Sequence, residues 1–188
     1  MEKIWTINVQ IDTRYTEKFK DQGTWANPVG TGEYWGDHVR MTAVNNVDNT
    51  VIVGNDKNFS LSVKSEDIIR WVVSEVDPLY SNHYSMCMYG FDTDNDSWKE
   101  FFHAPSIIEN SMAVTATSKI GIGGPEPTGD FLKATLADIS YPQTIARVGN
   151  TKGEVKYYMQ FLLVDISNAE DPQIVKYLQV DPLLKLED

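Results

Sequence analysis

Asp92-Thr93-Asp94-Asn95-Asp96-Ser97 is the segment of this chain whose residue types carry the most specific chemistry. Alternating carboxylates and an amide are hard oxygen donors of the kind calcium takes, and Asp92, Asp94, Asn95 and Asp96 would converge on one ion if the loop curls. The spacing is not that of an EF-hand. Ser97 stands where the sharp turn requires Gly, and His103 where a bidentate Glu would complete the shell. A solvated hairpin turn is the competing reading, because Asp and Asn are common in turns.

A second set of candidates is aromatic. Trp25, Tyr34, Trp35 and Trp98 lie in or beside Gly- and Asn-rich loops rather than in alternating strands. Ring faces next to polar loop residues can stack on sugars or other planar, weakly polar ligands, which makes these four the expected ligand-binding residues and carbohydrate the first class to try. The same rings could instead cap the ends of a core.

Chemistry that needs a fixed motif is missing. There is no Gly-x-Ser-x-Gly elbow, His-Glu-x-x-His helix, Walker loop or Cys-x-x-Cys pair. The run Gly121 to Gly129 has Glu126 where a dinucleotide fingerprint would end in Gly or Ala, so it reads as a turn-rich loop. Cys87 and His83, four apart on one strand, would be about 13 Å from each other, too far for a nucleophile and its base. Cys87 is expected to be an inert, half-buried thiol. His38, His83 and His103 show no ligand-like spacing and read as surface or turn residues. No catalytic residue is expected.

The chain that must position these groups has 188 residues, 16 basic against 27 acidic side chains and a net charge of -11. That charge repels phosphate backbones and anionic membranes, so neither nucleic acid nor membrane is an expected partner. A single cysteine precludes an internal disulfide and suits a reducing cytoplasm. No stretch has the length of a signal peptide's apolar core or of a membrane span, although release by a route without a signal peptide stays open.

Trp5, Ile7, Val9 and Ile11 alternate with Thr6, Asn8 and Gln10, and a period of two puts all four apolar side chains on one face of a strand. The pattern returns at Phe59-Leu61-Val63, at Tyr84-Met86-Met88 and at Val39-Met41-Ala43. After this last run comes the turn cluster 45–49 and a return strand Thr50 to Val53. Ile68 to Val73 and Tyr157 to Val164 are apolar on both parities, as central strands covered on both sides would be; periodicity alone leaves a helix open, and the Ile, Val and aromatic enrichment favours strand. A last strand is expected from Ile174 to Val180, stopped by Asp181-Pro182. Residues 105–152 read as a long irregular excursion within one domain spanning 1–188. Its expected elements are short strands near Met112 to Thr115 and Thr144 to Val148, and a short helix over Phe131 to Ile139. These elements predict an all-β fold, a two-layer antiparallel β-sandwich of jelly-roll or immunoglobulin-like type, with at most one short helix.

Laid out in order, Ile11-Asp12-Thr13 closing the first strand, the block Asp67-Ile68-Ile69-Arg70-Trp71, the strand Tyr158 to Asp165 and the final Asp181-Pro182 resemble the PixA/AidA inclusion-body protein family of bacteria. Glu66 stands where that family usually has Gly. The resemblance implies a β-sandwich without established enzymatic activity and, in some members, accumulation in intracellular inclusions. The expected function is therefore that of a non-enzymatic, self-associating protein, cytoplasmic or in inclusions. It would bind a ligand at its rim loops, lectin-like and with calcium as the one candidate cofactor. A storage protein without a small-molecule ligand is the alternative. Unblocked sheet edges favour a homodimer or higher assembly, with a second copy and carbohydrate as the expected partners.

Overall fold

The alternation at the start of the chain becomes β1 (Ile4–Ile11), whose Trp5, Ile7, Val9 and Ile11 are all buried. In this computed structural model residues 3–30, 36–55, 58–76, 83–92, 98–117, 132–147, 153–168 and 170–187 are described. A single helical turn, α1 (Thr13–Thr16), follows β1 and leads to the two-residue strand β2 (Val29–Gly30). A 3₁₀ turn (Gly36–His38) opens β3 (Val39–Asn45), which returns as β4 (Val51–Asn55). Asn45 and Asp48 bond the turn between them, as its Asn- and Asp-rich composition predicts.

Next come β5 (Ser60–Val63), β6 (Ile68–Glu75), β7 (Tyr84–Asp92) and a second single turn, α2 (Trp98–Phe101). The chain then forms β8 (Ser106–Thr117), β9 (Leu132–Ile145), β10 (Gly153–Lys156), β11 (Tyr158–Asp165), β12 (Gln173–Val180) and β13 (Leu183–Leu186). None of the described helices is long and apolar enough to cross a membrane.

Contacts divide the chain into two compact units, residues 1–106 with 142–188, and residues 107–141. In the larger unit one sheet runs β4-β3-β1-β6 and takes Gln143–Ile145 of β9 against β6. A second runs β2-β12-β11-β7, and a third runs β10-β13-β5. One core cluster draws its side chains from all three, including Ile7, Trp71, Leu61, Phe161 and Leu184, which is a β-sandwich. The sheets are mixed rather than purely antiparallel: β1 with β6, β2 with β12 and β5 with β13 run parallel. The cause is connectivity. Strands that are neighbours in space are separated by excursions through the other sheets, and only strands joined by a hairpin must be antiparallel.

The smaller unit corrects the reading of residues 105–152. Much of that stretch is the long pair β8 and β9, and the helix expected over Phe131 to Ile139 is, from Leu132 onward, part of β9. Ala and Leu there are good helix formers, but strand pairing with β8 satisfies the backbone instead. Gly121 to Gly129 and Val148 fall outside the described residues. β11 is also covered on one side only, while β6 is buried on both faces at Ile68 and Ile69 but not further along. Burial alternates along β11, and Val72 of β6 is 39% exposed.

Two buried tryptophans find partners for their indole N–H. Trp71 donates to the Tyr157 hydroxyl at 3.1 Å, with Tyr157 stacked on Phe91. Trp5 donates to Asp67 at 3.2 Å, and the same carboxylate accepts the Lys64 backbone N–H. Lys176 projects inward from β12 and is buried, its ammonium donating to the Phe19 carbonyl. Each fulfils the requirement that a buried polar group be bonded.

Candidate functional site

The inner face of the β2-β12-β11-β7 sheet is apolar: Met159, Phe161 and Leu163 of β11 pair in register with Phe91, Met88 and Met86 of β7. Period two therefore turns Gln160 and Leu162 outward, with their register partners Gln179 and Tyr177 on β12 and Cys87 on β7. Between Gly90, paired with Gln160, and Met88, paired with Phe161, β7 carries one extra residue, Tyr89. A bulge of this kind re-aims a side chain. Here it brings the Tyr89 ring to 5.9 Å from Tyr177, edge to face.

Trp25 completes the group from above. Its centroid lies 4.5 Å from that of Tyr89 and 6.5 Å from that of Tyr177, and the side chain remains 63% exposed. The loop that carries it is fixed on both sides to β12: Tyr177 donates its N–H to the Gln22 carbonyl at 2.8 Å, and β2 pairs with Leu178 and Gln179. Gly23 permits this approach. It has φ +62, and a Cβ there would stand 2.6 Å from the Tyr177 carbonyl oxygen. Thr24 and Asn27 exchange backbone hydrogen bonds around Trp25, so the loop is held before any ligand arrives.

The Tyr89 hydroxyl is buried and has no hydrogen-bond partner among the described residues. Burial pushes its pKa up, and the neighbouring Tyr177 adds to the push. Cys87, expected to be half-buried, is exposed on this face, and desolvation raises its pKa, which disfavours the reactive thiolate. The arrangement offers an indole face, a phenol and the amides of Gln160 and Gln179. Such groups can interact by stacking and hydrogen bonding.

Of the four aromatic candidates, Trp25 is thus the one the structure places. Tyr34 and Trp35 lie outside the described residues, and Trp98 begins α2 with its side chain outside them. Asp92 ends β7 and is exposed, while Asp94, Asn95 and Asp96 lie outside the described residues. Among the described residues no three His, Cys, Asp or Glu side chains converge as a metal site would require. Tyr89 and Tyr177 were not foreseen. Outward parity in the strand Ile174 to Val180 points to Tyr177, but Tyr89 depends on a bulge that no local pattern announces.

A second polar cluster surrounds His38. Its ring stacks on Tyr15 at 3.6 Å and 8°, and its Nδ1 lies 3.4 Å from Asp12, which also accepts from Arg14 at 3.1 Å. Burial alone would raise the Asp12 pKa, but the hydrogen bonds and charges of Arg14 and His38 outweigh it and the net shift is downward. The cluster joins α1 to the 3₁₀ turn.

Fold and site together define the class: a mixed-sheet β-sandwich that presents an ordered aromatic group on one outer face. Within that class the chain belongs to the PixA inclusion body protein family, whose family model matches residues 6–186. A crystal structure of a PixA inclusion body protein from Burkholderia cenocepacia J2315 has a similar fold, with a TM-score of 0.65 at 11% identity, covering 99% of this chain and 97% of that one. No curated protein matches the chain.

Proposed function

We propose that this chain is a non-enzymatic inclusion body protein that associates with itself inside the cell and binds a carbohydrate on the face formed by Trp25, Tyr89 and Tyr177. The observation that carries the ligand half is the exposed indole of Trp25 held against the Tyr89 ring, whose hydroxyl has no partner among the described residues. Clustered rings on the face that also carries Gln160 and Gln179 suit a sugar, whose C–H faces lie on aromatic planes while its hydroxyls meet the amides. Family membership supports the self-association half.

A glycan array probed with the full chain and with Trp25→Ala, each with and without calcium, tests the reading. Binding that Trp25→Ala lowers at least tenfold is the expected result. Absence of binding to every sugar in both conditions removes the lectin half. A difference between the calcium arms extends the reading to the Asp92, Asp94, Asn95 and Asp96 loop, and equal binding in both arms removes the metal from it.

A further inference from the structure

The outer edge of β4 offers backbone groups that another strand can pair with. Asn45 donates its N–H to the Thr50 carbonyl at 3.3 Å, which makes Asn45 with Thr50, and then Ala43 with Ile52 and Met41 with Gly54, the hydrogen-bonded pairs of the β3–β4 ladder. By the same alternation Val51, Val53 and Asn55 turn their N–H and C=O groups away from β3. Asn55 fits this rule, since its carbonyl accepts from the Phe59 N–H at 2.7 Å. Val51 and Val53 have no strand on their far side among the described residues. Their side chains are 54% and 72% exposed, and Val44, which pairs with Val51, adds a third bare valine to the same face.

Three of the other sheet edges are guarded. β10 carries Glu154 and Lys156, both ion-paired, β2 is two residues long, and β7 is bulged and lies against β6 and α1. β4 is Val-Ile-Val-Gly-Asn, without charge or proline, in a chain whose net charge is -11. An unprotected strand of this kind is a template for pairing.

We propose that two copies of this chain join antiparallel through β4 about a two-fold axis at Ile52. In that register Val51 of one copy faces Val53 of the other, twice by symmetry. Each of the two pairs exchanges both N–H···O=C bonds, and the four valines cover one another on the outer face. The register is self-complementary and brings no charged residue of β4 against its mate, so a second copy is the occupant that the strand itself specifies. The contact is small, below the roughly 1,200 Å² of stable interfaces, and so gives a reversible, concentration-dependent dimer. The inference rests on the self-association reading above and assigns it a surface.

Light scattering and sedimentation of the full chain over a wide concentration range test it, comparing wild type with Val53→Lys, Val53→Pro and Val72→Lys. The Val53 N–H points away from β3, so proline there spares the β3 ladder. Val72 lies on the same outer face away from the edge and serves as the control. The expected result is that wild type and Val72→Lys self-associate, while both Val53 variants stay at the 21.3 kDa monomer mass with unchanged circular dichroism, weakening association at least tenfold. In a Cys87→Ser background, a mixture of Val51→Cys and Val53→Cys chains is expected to cross-link more than either alone. If wild type associates and the Val53 variants associate equally, the β4 assignment falls while self-association stands. If wild type is monomeric at every concentration, both fall.

Discussion

The interior seam where Trp71 meets Tyr157 and the outer face where Trp25 covers Tyr89 treat the same kind of side chain in opposite ways. Both tyrosines pack against a tryptophan and both hydroxyls are removed from water. Tyr157 accepts the Trp71 indole N–H, whereas Tyr89 has no partner among the described residues. A buried hydroxyl without a bond costs about 1–3 kcal/mol, which the fold bears on the outer face and avoids in the core. The hydroxyl in the seam is satisfied, and the one on the outer face has no partner among the described residues.

The largest effect expected is at the seam itself. Trp71→Ala removes a fully buried ring from between Phe91 and Tyr157, and a loss of about 3–5 kcal/mol, read from the urea midpoint, is expected. The two tyrosines then give the sharpest contrast. Tyr157→Phe orphans the Trp71 N–H and should cost about 1–3 kcal/mol, while Tyr89→Phe deletes an unpaired group and should leave the midpoint unchanged or raise it. Equal losses from both substitutions would show that Tyr89 already has a partner. Tyr89→Phe should also weaken sugar binding.

Carboxylates extend the same contrast. Glu75 Oε2 is buried without a partner among the described residues, and burial raises the Glu75 pKa. The folded state then holds this proton more tightly than the unfolded state does. That contribution is present in acid and lost as pH rises through the folded value. Glu75→Gln is therefore expected to stabilise by under about 1 kcal/mol at neutral pH, solvent screening reducing the effect, with the gain vanishing in acid, as thermal melts over a pH series would show. Asp12 has the opposite sign. Its lowered pKa stabilises above the ordinary carboxylate range of about 3.9 and is lost as pH falls through the folded value. Asp12→Asn should thus cost under about 1 kcal/mol at neutral pH and nothing in strong acid.

The smallest effect concerns Glu66, which holds φ 71, in the left-handed region that favours glycine. This is the position where the family resemblance expects Gly. Glu66→Gly relieves that strain but loosens the unfolded chain, and a net change within about 1 kcal/mol, in the stabilising direction, is expected from the same melts.

How much of this was legible in the letters depended on whether a residue's fate is local. Trp5, Ile7, Val9 and Ile11 declare their burial through period two, and β3, β5 and β12 follow the same rule. β10 and β13 carry no clean apolar and polar alternation in the letters, and they are strands because each has a mate in the third sheet. Phe131 to Ile139 misled because helix propensity is local while pairing with β8 is not. At the site, Trp25 could be picked out by its loop composition. Tyr89 could not, since its role comes from a one-residue mismatch between β7 and β11. Lys176 likewise looks like any strand lysine until the Phe19 carbonyl is placed beneath it.

The parallel mating of β5 with β13 has a consequence for how the molecule is made. The Ser62 hydroxyl donates to Glu187 at 2.7 Å across 125 positions of chain, and Leu184 and Leu186 enter the core beside Leu61 and Val63. A ribosome must therefore release residues in the 180s before the third sheet can close. Until then the first half of the protein carries uncovered strands, and the entropy of closing so long a loop slows the final step. In a cell that makes many copies at once, nascent chains would dwell side by side with those strands still bare.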